Sequence, residues 1–142
     1  MKKILLLLII FVSCEKADNG IAGSTWFAEG ESSGSSTEYV NGEYITSEYS
    51  SVNETTLRFI NDTRGSVTVV STPTVDGVRG ETKTKTTAFT YTYDPGYMRG
   101  DITYESYMDE AETRPLISSF EIRSGFLYDD SELTGRQEFR RE

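Results

Sequence analysis

The sequence predicts an all-β protein, an antiparallel meander closed into a barrel of about eight to ten strands. Three observations carry this. Short segments rich in Thr, Tyr and Val alternate in hydrophobicity, Gly with Asn or Asp interrupts them repeatedly, and no window holds a helical stripe. A lone sheet leaves one apolar face uncovered, so the strands must close on themselves or stack on a second sheet. Short links favour closure, because a meander brings its first and last strands together without a crossover.

In order, strands are expected at Ser24 to Glu31, Ser36 to Val40, Glu43 to Ser50, Glu54 to Ile60 and Gly65 to Ser71. Thr82 to Tyr93, Arg99 to Tyr107, Ser119 to Arg123, Phe126 to Asp129 and Arg136 to Arg141 follow. Asn41 with Gly42, and Asp76 with Gly77, suit two-residue type I′ turns, the second at the tip of a hairpin spanning 72–82. Asn61 to Gly65 and Asp94 to Gly96 read as tight turns of another kind. Alternation puts Leu57, Phe59, Val67, Val69, Phe89, Tyr91, Tyr93, Ile102, Tyr104, Phe120 and Ile122 on the core face. Met108 to Ser118 breaks the rhythm with Asp109, Glu110, Glu112 and Pro115, and reads as a loop with room for one helical turn.

The chain of 142 residues carries a formal net charge of −9, has no His and has one Cys. An acidic surplus of this size repels phosphate backbones, which argues against nucleic acid and against adsorption to anionic headgroups. Without His, the commonest general base and transition-metal ligand is missing, so imidazole-based catalysis, zinc and haem sites are disfavoured. No cofactor and no metal are expected.

The single cysteine, Cys14, follows Lys2, Lys3 and the apolar run Ile4 to Val12, which is too short to span a bilayer and reads as a secretory signal. Phe11, Val12, Ser13 and Cys14 resemble the lipobox of bacterial lipoproteins. The resemblance implies removal of residues 1–13, a palmitate-bearing lipid anchor on Cys14, and an outer-membrane location. Glu15 and Asp18 resemble, with Lys16 and Ala17 between them, the acidic tracts of surface-displayed Bacteroidetes lipoproteins, leaving periplasmic face or cell surface open. A free thiol beside an ordinary cleavage site is the alternative, disfavoured because an exported thiol without a partner is an oxidation liability. Residues 14–23 are expected to form a lipidated tether and 24–142 the domain.

Gly23, Ser24, Thr25 and Trp26 resemble the opening strand of small lipocalin-like barrels. Thr56 to Phe59 with Ser66 to Val69 resembles that family's central hairpin, Phe89 to Tyr93 its tyrosine-rich strand, and Gly135 to Arg140 its closing strand. The resemblance implies that Trp26 closes one end of the barrel, with Arg136, Arg140 or Arg141, foremost Arg140, lying over its ring. On its own terms, a Trp opening a strand is a core residue.

Tyr39, Tyr44 and Tyr49 fall on the Asn41 hairpin beside Glu38, Glu43 and Glu48, and read equally as a recognition surface or as half-buried strand residues. Asp109, Glu110 and Glu112, and Asp129, Asp130 and Glu132, lack the pattern of a calcium loop and read as solvated charge. No pair of carboxylates is set on rigid strands as glycoside hydrolysis requires, so no enzyme is expected. Two functions remain: binding of a small apolar or amphipathic ligand inside the barrel, or an anchored interaction module that meets a protein or glycan through its loops and tyrosine hairpin. The first requires an apolar cavity of roughly 300 Å³ or more.

Overall fold

A computed structural model describes residues 20–105, 116–131 and 135–142. Within them the chain forms β1 (Thr25–Val40), β2 (Glu43–Phe59), β3 (Arg64–Val75), β4 (Val78–Arg79), β5 (Lys83–Asp94), β6 (Arg99–Tyr104), β7 (Leu116–Arg123), β8 (Phe126–Ser131) and β9 (Gly135–Arg141). Neighbours pair antiparallel in sequence order and β9 returns to β1, so eight strands close into a barrel while β4 only folds back on the end of β3. The closed antiparallel meander expected from alternation is the architecture formed.

Connections alternate between two ends. The β2–β3, β5–β6 and β7–β8 turns lie at one end, with the entering segment Ile21 to Ser24. This end is closed by side chains. Phe59 packs at its centre, with ring centroids 5.5 Å from Phe89, 4.8 Å from Tyr91 and 5.7 Å from Phe120. Leu57 from the same strand, Ile102, Leu127 and Phe139 from three others, and Ile21 and Trp26 at the start of the chain complete the core. The turns are set by side-chain carboxamide and carboxylate oxygens: Asn61 Oδ1 accepts from the amides of Thr63 (3.1 Å) and Arg64 (3.0 Å). Asp94 Oδ1 does the same for Gly96 at 2.8 Å.

The domain begins earlier than Ser24. Ile21, expected in the tether, is fully buried, the Gly23 amide donates to the Phe59 carbonyl at 2.7 Å, and the Ser24 amide to the Ile21 carbonyl at 3.0 Å. A single apolar residue in a polar stretch gave no periodic signal. Cys14 and the leader lie outside the described residues, as do Asp109, Glu110, Glu112, Pro115 and Glu132.

The first four expected strands are two. β1 and β2 run unbroken through Ser32–Ser36 and Ser50–Asn53, in register from Thr25↔Arg58 to Val40↔Glu43. Asn41 (φ 54°) and Gly42 (φ 92°) form the expected hairpin turn between them. β3 likewise continues to Val75 through Pro73, into what was expected to be a hairpin tip. Leu116 to Ser118, expected as irregular, belong to β7. β1 and β2, at 16 and 17 residues the longest strands, run past their neighbours and leave the barrel with the end of β3 as an arm. β1 pairs with β9 only at Trp26 and Phe27.

Candidate functional site

At the opening strand, Trp26 is buried and its indole N–H donates to Ser24 Oγ at 2.8 Å. Ser24 Oγ in turn donates to the Ile21 carbonyl at 2.5 Å, so the hydroxyl serves both partners. The cation over Trp26 is Arg141, 5.9 Å from the ring centroid. Arg140, the foremost expectation, lies over Phe27 at 5.1 Å, and Arg136 over Tyr128 at 4.8 Å. Strand parity decides this: the residues of β9 that share the inner face with Phe139 include 141 and exclude 140.

The three tyrosines do not form one surface. Tyr39 and Tyr44 sit directly across the β1–β2 ladder, exposed, with ring centroids 4.8 Å apart on the outer face of the arm. Tyr49 belongs to the opposite face, where it lies over Gly34. Around them the arm displays Val40, Ile45, Val52, Val75 and Val78, all exposed. Between Tyr49 and the barrel its inner face is polar and small: Ser51 and Ser71 share a hydroxyl bond of 2.9 Å, and Ser51 Oγ donates to Asn53 Oδ1 at 3.2 Å.

Where β1 and β9 diverge, a cleft of about 680 Å³ opens, lined by Ala28 to Ser32, Asn53, Thr55 and Arg136 to Glu138. Alternation places Ala28, Gly30, Ser32, Asn53, Thr55 and Gln137 on the face that turns inward lower down. Above the aromatic core, the barrel also buries Asp129, whose carboxylate accepts the Ser118 hydroxyl. Burial pushes the Asp129 carboxyl up, the Ser118 hydrogen bond partly offsets this, and Asp130 adds to the rise. The reading of Asp129 and Asp130 as a solvated pair therefore fails for Asp129. Parity separates them: Asp129 is on the inner face with Leu127, Asp130 on the outer.

Outside, Glu121 on β7 is approached by Arg136 (3.1 Å), Arg99 (3.5 Å) and Arg123 (3.8 Å), with Arg123 and Arg136 also over the Tyr128 ring. Alternation had not singled out this exposed cluster, because its members come from four strands. Among the described residues, no group of three or more His, Cys, Asp or Glu is placed to hold a metal ion. Also among them, no helix is long and apolar enough to cross a membrane.

No family model, curated protein or solved structure matches the chain. Its classification rests on architecture: a closed, eight-stranded antiparallel meander barrel that fits the description of a lipocalin-like fold.

Proposed function

We propose that this chain is a non-catalytic, lipid-anchored protein of the bacterial cell envelope, held at the outer membrane through Cys14, whose barrel is a pedestal and whose arm binds a protein partner. The observation that carries the second half is where apolar side chains stay exposed. At the tip of a two-stranded projection, Tyr39 and Tyr44 on one face and Val40 and Ile45 on the other stay exposed. Exposed aromatic and aliphatic contacts on a protruding hairpin favour a macromolecular partner. Internal binding of an apolar molecule is supported less, because rings occupy the closed half and the seam cleft is lined by Glu, Ser, Asn and Arg side chains.

Two measurements test this. Radiolabelled palmitate should enter the wild type and not Cys14→Ala; label retained by the variant removes the anchor. A photo-crosslinking residue at Tyr44 in intact cells should give a discrete adduct that the same residue at Thr86, on the barrel wall, does not. Equal adducts at both positions, or a small apolar molecule co-purifying in native mass spectrometry of lipid-free protein, would turn the reading toward the barrel interior.

A further inference from the structure

Exposed apolar side chains also gather at the end opposite the arm. Ile60 (55% exposed), Tyr97 (78%), Met98 (45%) and Phe126 (38%) stand on or beside the three turns of the closed end. Each has arginine beside it: Ile60 lies between Arg58 and Arg64, Tyr97 and Met98 precede Arg99, and Phe126 is directly across from both Arg123 and Arg140. Most of the remaining exposed large apolar residues are on the arm. The two ends thus differ from the wall between them.

These tips are held rigidly. Ile60 donates its amide to the Arg64 carbonyl at 2.9 Å, and the Met98 carbonyl accepts the Ile122 amide at 2.8 Å. Met98 takes φ 53°, a left-handed conformation that a non-glycine residue adopts only where the turn demands it. Glu29, Glu31, Glu38, Glu43, Glu48 and Glu54 all belong to the arm strands, whereas at the closed end Asp62, Asp94, Asp101, Glu121 and Glu142 are set against Arg58, Arg64, Arg99, Arg123, Arg140 and Arg141. The net charge that argues against an anionic surface for the whole chain does not describe the closed end.

We infer that the closed end is a docking face for the headgroup layer of a lipid bilayer, with Ile60, Tyr97, Met98 and Phe126 entering the interface and the neighbouring arginines meeting lipid phosphates. Apolar and aromatic tips flanked by arginine are the composition that partitions there, the aliphatic stems lying among the chains and the guanidinium groups among the headgroups. The inference rests on the anchor proposed at Cys14, and chain reach supplies the geometry. Ile21 is fixed at the closed end, and six residues lie between it and Cys14. At most about 25 Å of chain lies between them. β1 alone, 16 residues long, extends roughly 50 Å away from that end. A lipid on Cys14 therefore brings this end to the membrane and directs the arm away from it.

The lone thiol allows a test that does not depend on acylation in the cell. Residues 14–142, which contain the whole described barrel, are coupled through Cys14 to a maleimide phospholipid in vesicles of phosphatidylcholine and phosphatidylglycerol. Measured as the difference from the parent chain, whose buried Trp26 emits in every variant, Tyr97→Trp should add blue-shifted emission that brominated lipid quenches, whereas Tyr44→Trp should add neither. Quenching equal at both positions, or absent at Tyr97→Trp, overturns the inference. Adding Ile60→Ser, Met98→Ser and Phe126→Ser to Tyr97→Trp should remove the quenching; its persistence would mean that tethering alone holds the end there, and would also overturn the docking face. The palmitate experiment decides the anchor separately.

Discussion

Phe89 lies directly across the β3–β5 ladder from Gly65, and its ring fills the space that a Cβ on Gly65 would occupy. Phe120 stands in the same relation to Gly100 on β6, and Tyr49 to Gly34 on β1. Inside a small barrel, inward side chains from neighbouring strands converge, and a ring on one strand is accommodated by the absence of a side chain on the next. The glycine makes the cavity and the ring fills it.

Substitution at these glycines should therefore divide by how free the covering ring is. At Gly65 and Gly100 an added methyl meets both a buried ring and backbone carbonyl oxygen, that of Arg58 in the first case and Thr92 in the second. Gly65→Ala and Gly100→Ala should each cost about 1 to 3 kcal/mol, the usual range for overpacking. At Gly34 the methyl meets only the far end of Tyr49, which is half exposed and can swing away. Gly34→Ala should cost under about 1 kcal/mol. Urea denaturation of the three variants checks the order, and an equal loss at Gly34 would refute it.

How much of this was legible follows from which information is local. The core residues were readable, because alternation in Leu57 with Phe59 and in Phe89 with Tyr91 is a property of each strand by itself. The same parity, counted along a single strand, separates Tyr49 from Tyr44 and Asp129 from Asp130, so those corrections were present in the sequence. The continuity of β1 and β2 was not. Ser32 to Ser36 has no apolar rhythm, and what keeps it extended is its pairing with residues 47–51. Nor does spacing reveal that β1 leaves β9 after two residue pairs, which is what creates the arm and the cleft.

Asp129 gives a pH signature. Its carboxyl is raised in the folded protein, chiefly by burial, so the native state binds a proton more tightly than the unfolded chain does. Between the unfolded and folded pKa values stability therefore falls as pH rises. Asp129→Asn keeps an oxygen for the Ser118 hydroxyl and should raise the urea midpoint at pH 7 more than at pH 4. Ser118→Ala removes the hydrogen bond to the buried Asp129 carboxyl and should cost about 1 to 3 kcal/mol. Parallel pH profiles for wild type and Asp129→Asn would exclude Asp129 as their source.

Ser24 is the hinge of the entering segment. One hydroxyl accepts the Trp26 indole N–H and donates to the Ile21 carbonyl, both in buried surroundings. Ser24→Ala takes the hydroxyl acceptor from the buried indole donor, while the Ile21 carbonyl keeps the backbone amide of residue 24, and should cost about 1 to 3 kcal/mol. Trp26→Ala should cost about 3 to 5 kcal/mol. Arg141→Ala, removing a cation 5.9 Å from an indole face, should cost under about 1 kcal/mol. Chemical denaturation ranks the three, and an Arg141 effect as large as that of Ser24 would mean that the guanidinium does more than lie over the ring.

The arm should open separately from the barrel. Beyond Glu48, which exchanges hydrogen bonds of 2.8 Å with Asp76, β1 and β2 pair with each other, held by ladder hydrogen bonds, the Thr37–Thr46 hydroxyl contact of 3.0 Å and the Tyr39–Tyr44 ring pair. An isolated two-stranded ribbon is marginal in water, so amides between Thr37 and Thr46 should exchange far faster than those near Leu57 and Phe89. Tyr44→Thr removes a cross-strand aromatic contact worth about 0.5 to 1.5 kcal/mol. Tip exchange should then accelerate by roughly 2- to 12-fold, the same free energy expressed as an equilibrium ratio, while the global urea midpoint stays fixed. Hydrogen exchange read by mass spectrometry separates the two quantities. A fall in the global midpoint matching the change at the tip would show the arm folding as one unit with the barrel, and the pedestal would then not be independent of what it presents.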